Sequence, residues 1–87
     1  MPKPILYVKK GCPWCVDALS YFESNGLDLE IVDLRTDPGR MDELVAVSGQ
    51  TKTPTLKHGD FVVADFDLDE FAIALEGRPE AKAELGL

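Results

Sequence analysis

Residues 4 to 34 constrain the fold more than any other part of the chain. "PILYV" (4–8) is an apolar run without alternation, the pattern of a strand covered on both faces. It ends at Lys9, Lys10 and Gly11, and Pro13 then suits the first position of a helix, where its missing N–H costs nothing. Cys15, Ala18, Leu19 and Phe22 mark one helical face, and Asn25-Gly26 supplies the stop. "LDLEIVDL" (27–34) alternates, with Leu27, Leu29 and Ile31 expected on the better-buried face. Strand, helix and strand within about 30 residues make a βαβ unit, whose strands run parallel with a right-handed crossover.

The second half changes character. Asp37-Pro38 is expected to cap a second helix that turns Met41, Leu44 and Val45 inward and closes at Gly49. "TLKH" and "FVVA" flank Gly59-Asp60, a tight turn that predicts an antiparallel hairpin. Asp67 and Glu70 have capping-box spacing before a third helix with a Leu68, Phe71, Ala72, Leu75 stripe, ended by Gly77 and Pro79. Glu80 to Leu85 are expected to add a frayed helical turn or two. The 87 residues, 45% of them hydrophobic, fit a single domain spanning 1–87.

The totals also exclude functions. A net charge of −7 with no basic tail argues against nucleic acid or an anionic membrane as partner. No apolar run approaches the roughly 20 residues that cross a bilayer, and "ILYV" is too short for a secretory core. A cytoplasmic location is expected, where thiols stay reduced and a close cysteine pair serves catalysis or metal binding. Within this acidic chain Lys9 and Lys10 immediately precede Cys12 and Lys52 lies two residues before Pro54; each reads first as a solvated surface charge and second as part of a basic neighbourhood expected around the cysteines.

In "KKGCPWC", Cys15 falls on the inward stripe while Cys12 sits at the helix mouth and should reach water. There the unpaired N–H groups and the positive end of the helix dipole favour a thiolate, and Lys9 and Lys10 push the same way. Cys12 is therefore the expected nucleophile and Cys15 the resolving thiol. Zinc normally takes four ligands, and two cysteines with a single histidine, His58, do not supply them. His58, near the hairpin turn, has no partner in the sequence. A permanent cross-link would close a tiny loop for little gain. Tyr7 and Phe66 read first as core packing and second as borders of a groove beside the cysteines, and Trp14, off the apolar stripe, reads equally as a substrate contact or a ring folded over backbone.

These residues resemble the thioredoxin superfamily, most closely its glutaredoxin branch: "YVKKGCPWC" is similar to that branch's strand-to-helix signature, "KTPT" to its cis-proline loop, and "ADFDLDEF" lies where its glycine-and-aspartate segment falls. The resemblance covers nearly the whole chain. It implies an α/β thioredoxin-like fold, a four-stranded mixed β-sheet flanked by three or four helices, with Pro54 in cis beside the cysteines. It implies a thiol–disulfide oxidoreductase acting on protein disulfides or glutathione mixed disulfides, with glutathione as co-substrate and no tightly bound cofactor or metal. Catalysis would fall to Cys12 and Cys15. Substrate and glutathione would be held by Lys9, Pro13, Trp14, Lys52, Thr53, Pro54, Asp65, Phe66 and Asp67, with Thr53 offering its backbone to an extended peptide. Two positions depart from the family pattern: its Gly-Gly is Ala64-Asp65 here, and the second of its paired aspartates is Leu68. A carboxylate at Asp65 repels an anionic peptide, which keeps open a redoxin reduced by a thioredoxin-reductase-type flavoenzyme for clients such as ribonucleotide reductase. A dimer sharing an iron–sulfur cluster through Cys12 and glutathione is a further alternative, against which "CPWC" speaks. A monomer is expected.

Overall fold

The computed structural model describes residues 3–87. Four strands, β1 (Ile5–Val8), β2 (Glu30–Asp33), β3 (Thr55–His58) and β4 (Phe61–Ala64), form one sheet in the order β2-β1-β3-β4. β1 pairs parallel with β2 and antiparallel with β3, and β4 returns antiparallel to β3. Four α-helices flank it: α1 (Pro13–Ser24), α2 (Met41–Ser48), α3 (Leu68–Glu76) and α4 (Pro79–Leu85). This is the four-stranded mixed sheet that the βαβ unit and the hairpin imply.

Because β1 lies inside the sheet, its alternate residues feed two cores. Leu6 and Val8 join Ala18 and Phe22 of α1, Leu56 of β3, Phe71 and Leu75 of α3, and Ala81 and Leu85 of α4. Tyr7 turns the other way, against Val32, Leu34 and Leu44 of α2. In the first core the rings of Phe22 and Phe71 meet edge to face at 5.2 Å, and Phe66 lies 5.0 Å from Phe71. On the second side the Tyr7 hydroxyl donates to Glu43, and Arg40 bridges Glu43 and Glu30 at 2.8 and 2.9 Å. Tyr7 is held in its neutral form, first by burial and then by this bond to Glu43.

Several expectations are corrected. On β2 the buried residue is Val32, opposite Tyr7, while Ile31 is 55% exposed. Ile31 shares the side of its partner Leu6 but stands on the edge strand, outside the cover that closes over Leu6. Asp37 precedes a 3-10 turn (Pro38–Arg40) without a side-chain cap, so α2 starts only at Met41. Val45 is exposed and Val47 packs in its place, and on α3 Ala72 faces outward while Ala74 is partly buried. The C-terminal segment is a packed helix with Ala81 and Leu85 buried. His58 does find a partner, Glu84 of α4, at 3.4 Å.

Candidate active site

Sheet polarity assembles the site. The C-terminal ends of the parallel strands β1 and β2, the start of β3 and the end of β4 all fall on one edge, since Tyr7 opposes Thr55 and Thr55 opposes Ala64. Segments far apart in sequence therefore meet there: Lys9 to Trp14, Arg35, Lys52-Thr53, and Asp65 to Asp67 with Glu70. They line a groove of about 560 Å³.

Cys12 is the N-cap of α1. Its Sγ accepts from the Cys15 backbone N–H at 3.3 Å and lies 3.9 Å from the Thr53 carbonyl oxygen. Pro13 follows at N1, so the first turn loses no needed donor. Burial opposes ionisation of Cys12 and is the largest single influence. Hydrogen bonds from the Cys15 thiol and backbone N–H, aided by Thr53 and the Trp14 backbone, outweigh it and hold the Cys12 thiol below the ordinary range. Hydrogen bonds lead here, where the sequence had pointed also to Lys9 and Lys10. Cys15 is 2% exposed, and burial, followed by its bond to Cys12, pushes its thiol up. The two sulfurs are free thiols of opposite character, one reaching the groove and one behind it.

The loop across from Cys12 is braced by side chains. Thr53-Pro54 is a cis peptide and both residues are buried. The Lys52 N–H donates to Gln50 Oε1 at 2.5 Å, Gln50 Nε2 donates to Ser48 Oγ and Thr55 Oγ1, and Thr55 Oγ1 donates to the Lys52 carbonyl at 2.9 Å. Lys9 Nζ reaches the Thr51 carbonyl at 3.2 Å and ties the loop to the residues before Cys12.

The third wall is the turn from β4 into α3. Asp65 has φ of 51°, a left-handed conformation that Asp tolerates better than most residues do. Its carboxylate lies 3.8 Å from Lys52 Nζ. Phe66 is buried yet contributes to the groove. Asp67 caps α3: its Oδ1 accepts from the Glu70 N–H at 2.8 Å, and Glu70 Oε1 accepts from the Asp67 N–H at 3.2 Å.

Of the residues singled out from the sequence, Lys9, Cys12, Pro13, Trp14, Lys52, Thr53, Asp65, Phe66 and Asp67 all line the groove, and Cys15 and Pro54 stand behind it. Trp14 is 59% exposed, an open ring rather than one folded over backbone. Tyr7 is core. Arg35 was not expected at the site, and Glu70, expected first as a helix cap and second as a ligand contact, also lines it. Arg35 was in principle legible, because it follows β2 as Lys9 follows β1, and parallel strands end on the same edge. Among the described residues no cluster of three or more His, Cys, Asp or Glu could hold a metal, and no helix is long and apolar enough to cross a membrane.

An acidified thiol at a helix N-terminus, backed by a buried second thiol and faced by a cis-proline loop on a mixed sheet, defines the class of thioredoxin-fold proteins built for dithiol exchange. The comparisons narrow the class: residues 5–63 match the family model described as Glutaredoxin. The chain is 27% identical over 81 residues to a glutaredoxin of Pseudomonas aeruginosa, covering 93% of this chain and 95% of that one. Its fold is similar to the crystal structure of a glutaredoxin from Archaeoglobus fulgidus, with a TM-score of 0.72, 20% identity and coverage of 88% and 89%. A buckwheat glutaredoxin–glutathione complex matches with a TM-score of 0.69 at 15% identity, covering 94% of this chain and 74% of that one. The chain belongs to the glutaredoxin family, and with it to the thiol–disulfide oxidoreductases.

Proposed function

We propose that the protein reduces protein disulfides and glutathione mixed disulfides through Cys12 and Cys15, with glutathione as the reductant, in the cytoplasm. The observation that carries this reading is the position of Cys12 Sγ, open to the groove and bonded by the Cys15 N–H at the start of α1. The Cys12 thiolate attacks one sulfur of the substrate disulfide; that S–S bond breaks, and the departing sulfur takes a proton from solvent. Cys15, once deprotonated, attacks Cys12 Sγ, releases the second substrate thiol and forms the Cys12–Cys15 disulfide. Two electrons pass from protein to substrate. Two glutathione molecules then return the dithiol and leave as glutathione disulfide. A glutathione mixed disulfide needs Cys12 alone, because free glutathione resolves the glutathionylated Cys12.

In this reading Trp14, Pro13 and Phe66 border the substrate, and the Thr53 backbone beside cis-Pro54 pairs with it. Lys9 and Lys52 meet carboxylates, and Asp67 faces the amino end of a glutathione moiety. The glutathione-bound relative from buckwheat supports glutathione as the small partner.

Asp65 favours a second reading. It adds a carboxylate to the wall already formed by Asp67 and Glu70, where an anionic tripeptide would approach. A flavoenzyme reductase of the thioredoxin-reductase type does not present that anion. The deciding experiment offers the oxidised protein either glutathione with glutathione reductase or thioredoxin reductase with NADPH. Reduction at a useful rate by the first system is expected; reduction by the second alone overturns the glutathione assignment and leaves the dithiol chemistry standing.

A further inference from the structure

The groove is ordered by charge. In sheet order the strand ends present Arg35 after β2, Lys9 and Lys10 after β1 with Cys12 beyond them, Lys52 before β3, and Asp65, Asp67 and Glu70 after β4. Neighbouring strands lie about 4.8 Å apart, so the row spans about 14 Å, the length of some four extended residues. Its two ends differ in sign. Lys10 and Arg35 are exposed and make no ion pair among the described residues. At the other end stand three carboxylates: Asp65 lies 3.8 Å from the largely exposed Lys52, while Asp67 and Glu70 make no ion pair among the described residues and hold each other's backbone N–H in the α3 cap. Cys12 stands between the two ends.

We propose that this groove selects extended disulfide peptides by charge order, seating a carboxylate at Arg35 and Lys10 and a cationic side chain at Asp65, with the reactive cysteine between them. The proposal rests on the reading of Cys12 as nucleophile and deepens it to a class of protein client, one whose cysteine lies between residues of opposite charge. Asp65 is the specificity-determining residue. A glycine could hold its left-handed backbone, so its carboxylate is what adds charge to the wall. Lys52, which meets a carboxylate when glutathione is bound, moderates that charge in the free groove and gives way when a cationic side chain of a peptide client takes its place.

The test uses the reduced protein in single turnover with symmetrical disulfides of three capped tripeptides: Glu-Cys-Arg, its isomer Arg-Cys-Glu, and neutral Gln-Cys-Gln. Each reaction converts one peptide disulfide and the protein dithiol into two peptide thiols and the protein disulfide, so no further reductant enters. The rate is read from the fluorescence of Trp14, the sole tryptophan. The two isomers carry equal net charge, so a bulk charge effect cannot separate them. At low salt their rate constants should differ by roughly fivefold, the result of making two exposed ion pairs or two like-charge contacts. About 1 M salt should close the gap. Asp65→Asn, which keeps a left-handed backbone accessible, and Arg35→Gln should each narrow it, while Lys52→Gln should widen it. Equal isomer rates with a reactive neutral peptide overturn the proposal, as does a difference that survives both narrowing variants or that Lys52→Gln fails to widen. Failure to reduce any of the three peptides overturns the oxidoreductase reading of Cys12 itself.

Discussion

Asp67 caps α3 and, in the function proposed above, also meets the substrate; a pair of substitutions tells the two roles apart. Its Oδ1 accepts the Glu70 N–H at 2.8 Å, satisfying one of the four donors that the start of α3 leaves open. Asp67→Ala removes that bond and leaves the reciprocal Glu70–Asp67 bond without its counterpart. Loss of an N-cap acceptor costs about 1 kcal/mol. In a chain of 87 residues this corresponds to a fall in Tm of about 4–8 °C, or a urea midpoint lower by about 0.5–1 M. Asp67→Asn keeps an acceptor of nearly equal capping strength and removes the charge, so its stability should stay within about 0.5 kcal/mol of the parent. Circular dichroism at 222 nm during urea titration of the reduced protein measures both. Turnover of a glutathione mixed disulfide then reads the other role, and the KM for both variants should rise by a similar factor if charge is what the substrate meets. Equal destabilisation by the two substitutions, or none by Asp67→Ala, would refute the capping account.

Absorbance at 240 nm against pH should show one thiol of the reduced protein ionising below the ordinary thiol range and the other above it. The sign follows from the directions of the two shifts. Cys12, whose folded pKa is lowered, contributes stability above the unfolded thiol's pKa and loses it as pH falls through the folded value. Cys15, raised, contributes below the unfolded value and loses it as pH rises through its own. Exchange rate should follow the first titration, and two unshifted thiols would contradict the helix-mouth mechanism. Cys15→Ser should retain at least about half of the activity on glutathione mixed disulfides and lose tenfold or more on intramolecular protein disulfides, because only the latter require an internal resolving thiol; equal loss on both would refute the division of labour.

What the sequence disclosed is what short-range chemistry dictates. The first strand, the proline-started helix, the Gly59-Asp60 hairpin and the Asp67–Glu70 box each sit within a few residues of their own cause, and each stands in the structure. The opposite orientation of the two sulfurs also followed from helical periodicity alone. What stayed hidden depends on which segment covers which. Ile31 and Val32 are both apolar and β-branched, and only the placement of the helices over an edge strand chooses between them. Arg35 joins the groove because two strands end together, and Gln50 braces the cis-proline loop through Ser48 and Thr55, bonds that no pattern in "SGQTKTPT" announces.

Phe66 belongs to two parts of the molecule at once. It lines the groove that Cys12 also lines and packs at a tilt against Phe71, which in turn meets Phe22 of the helix that Cys12 begins. The groove thus has no base of its own but shares one with the deepest layer of the protein. Reshaping that base would loosen the whole molecule, whereas the exposed charges of the rim that cap no helix, Lys10, Arg35, Lys52 and Asp65, can be exchanged with little structural consequence. Diversification of partner choice in a chain built this way is therefore channelled to its polar margin.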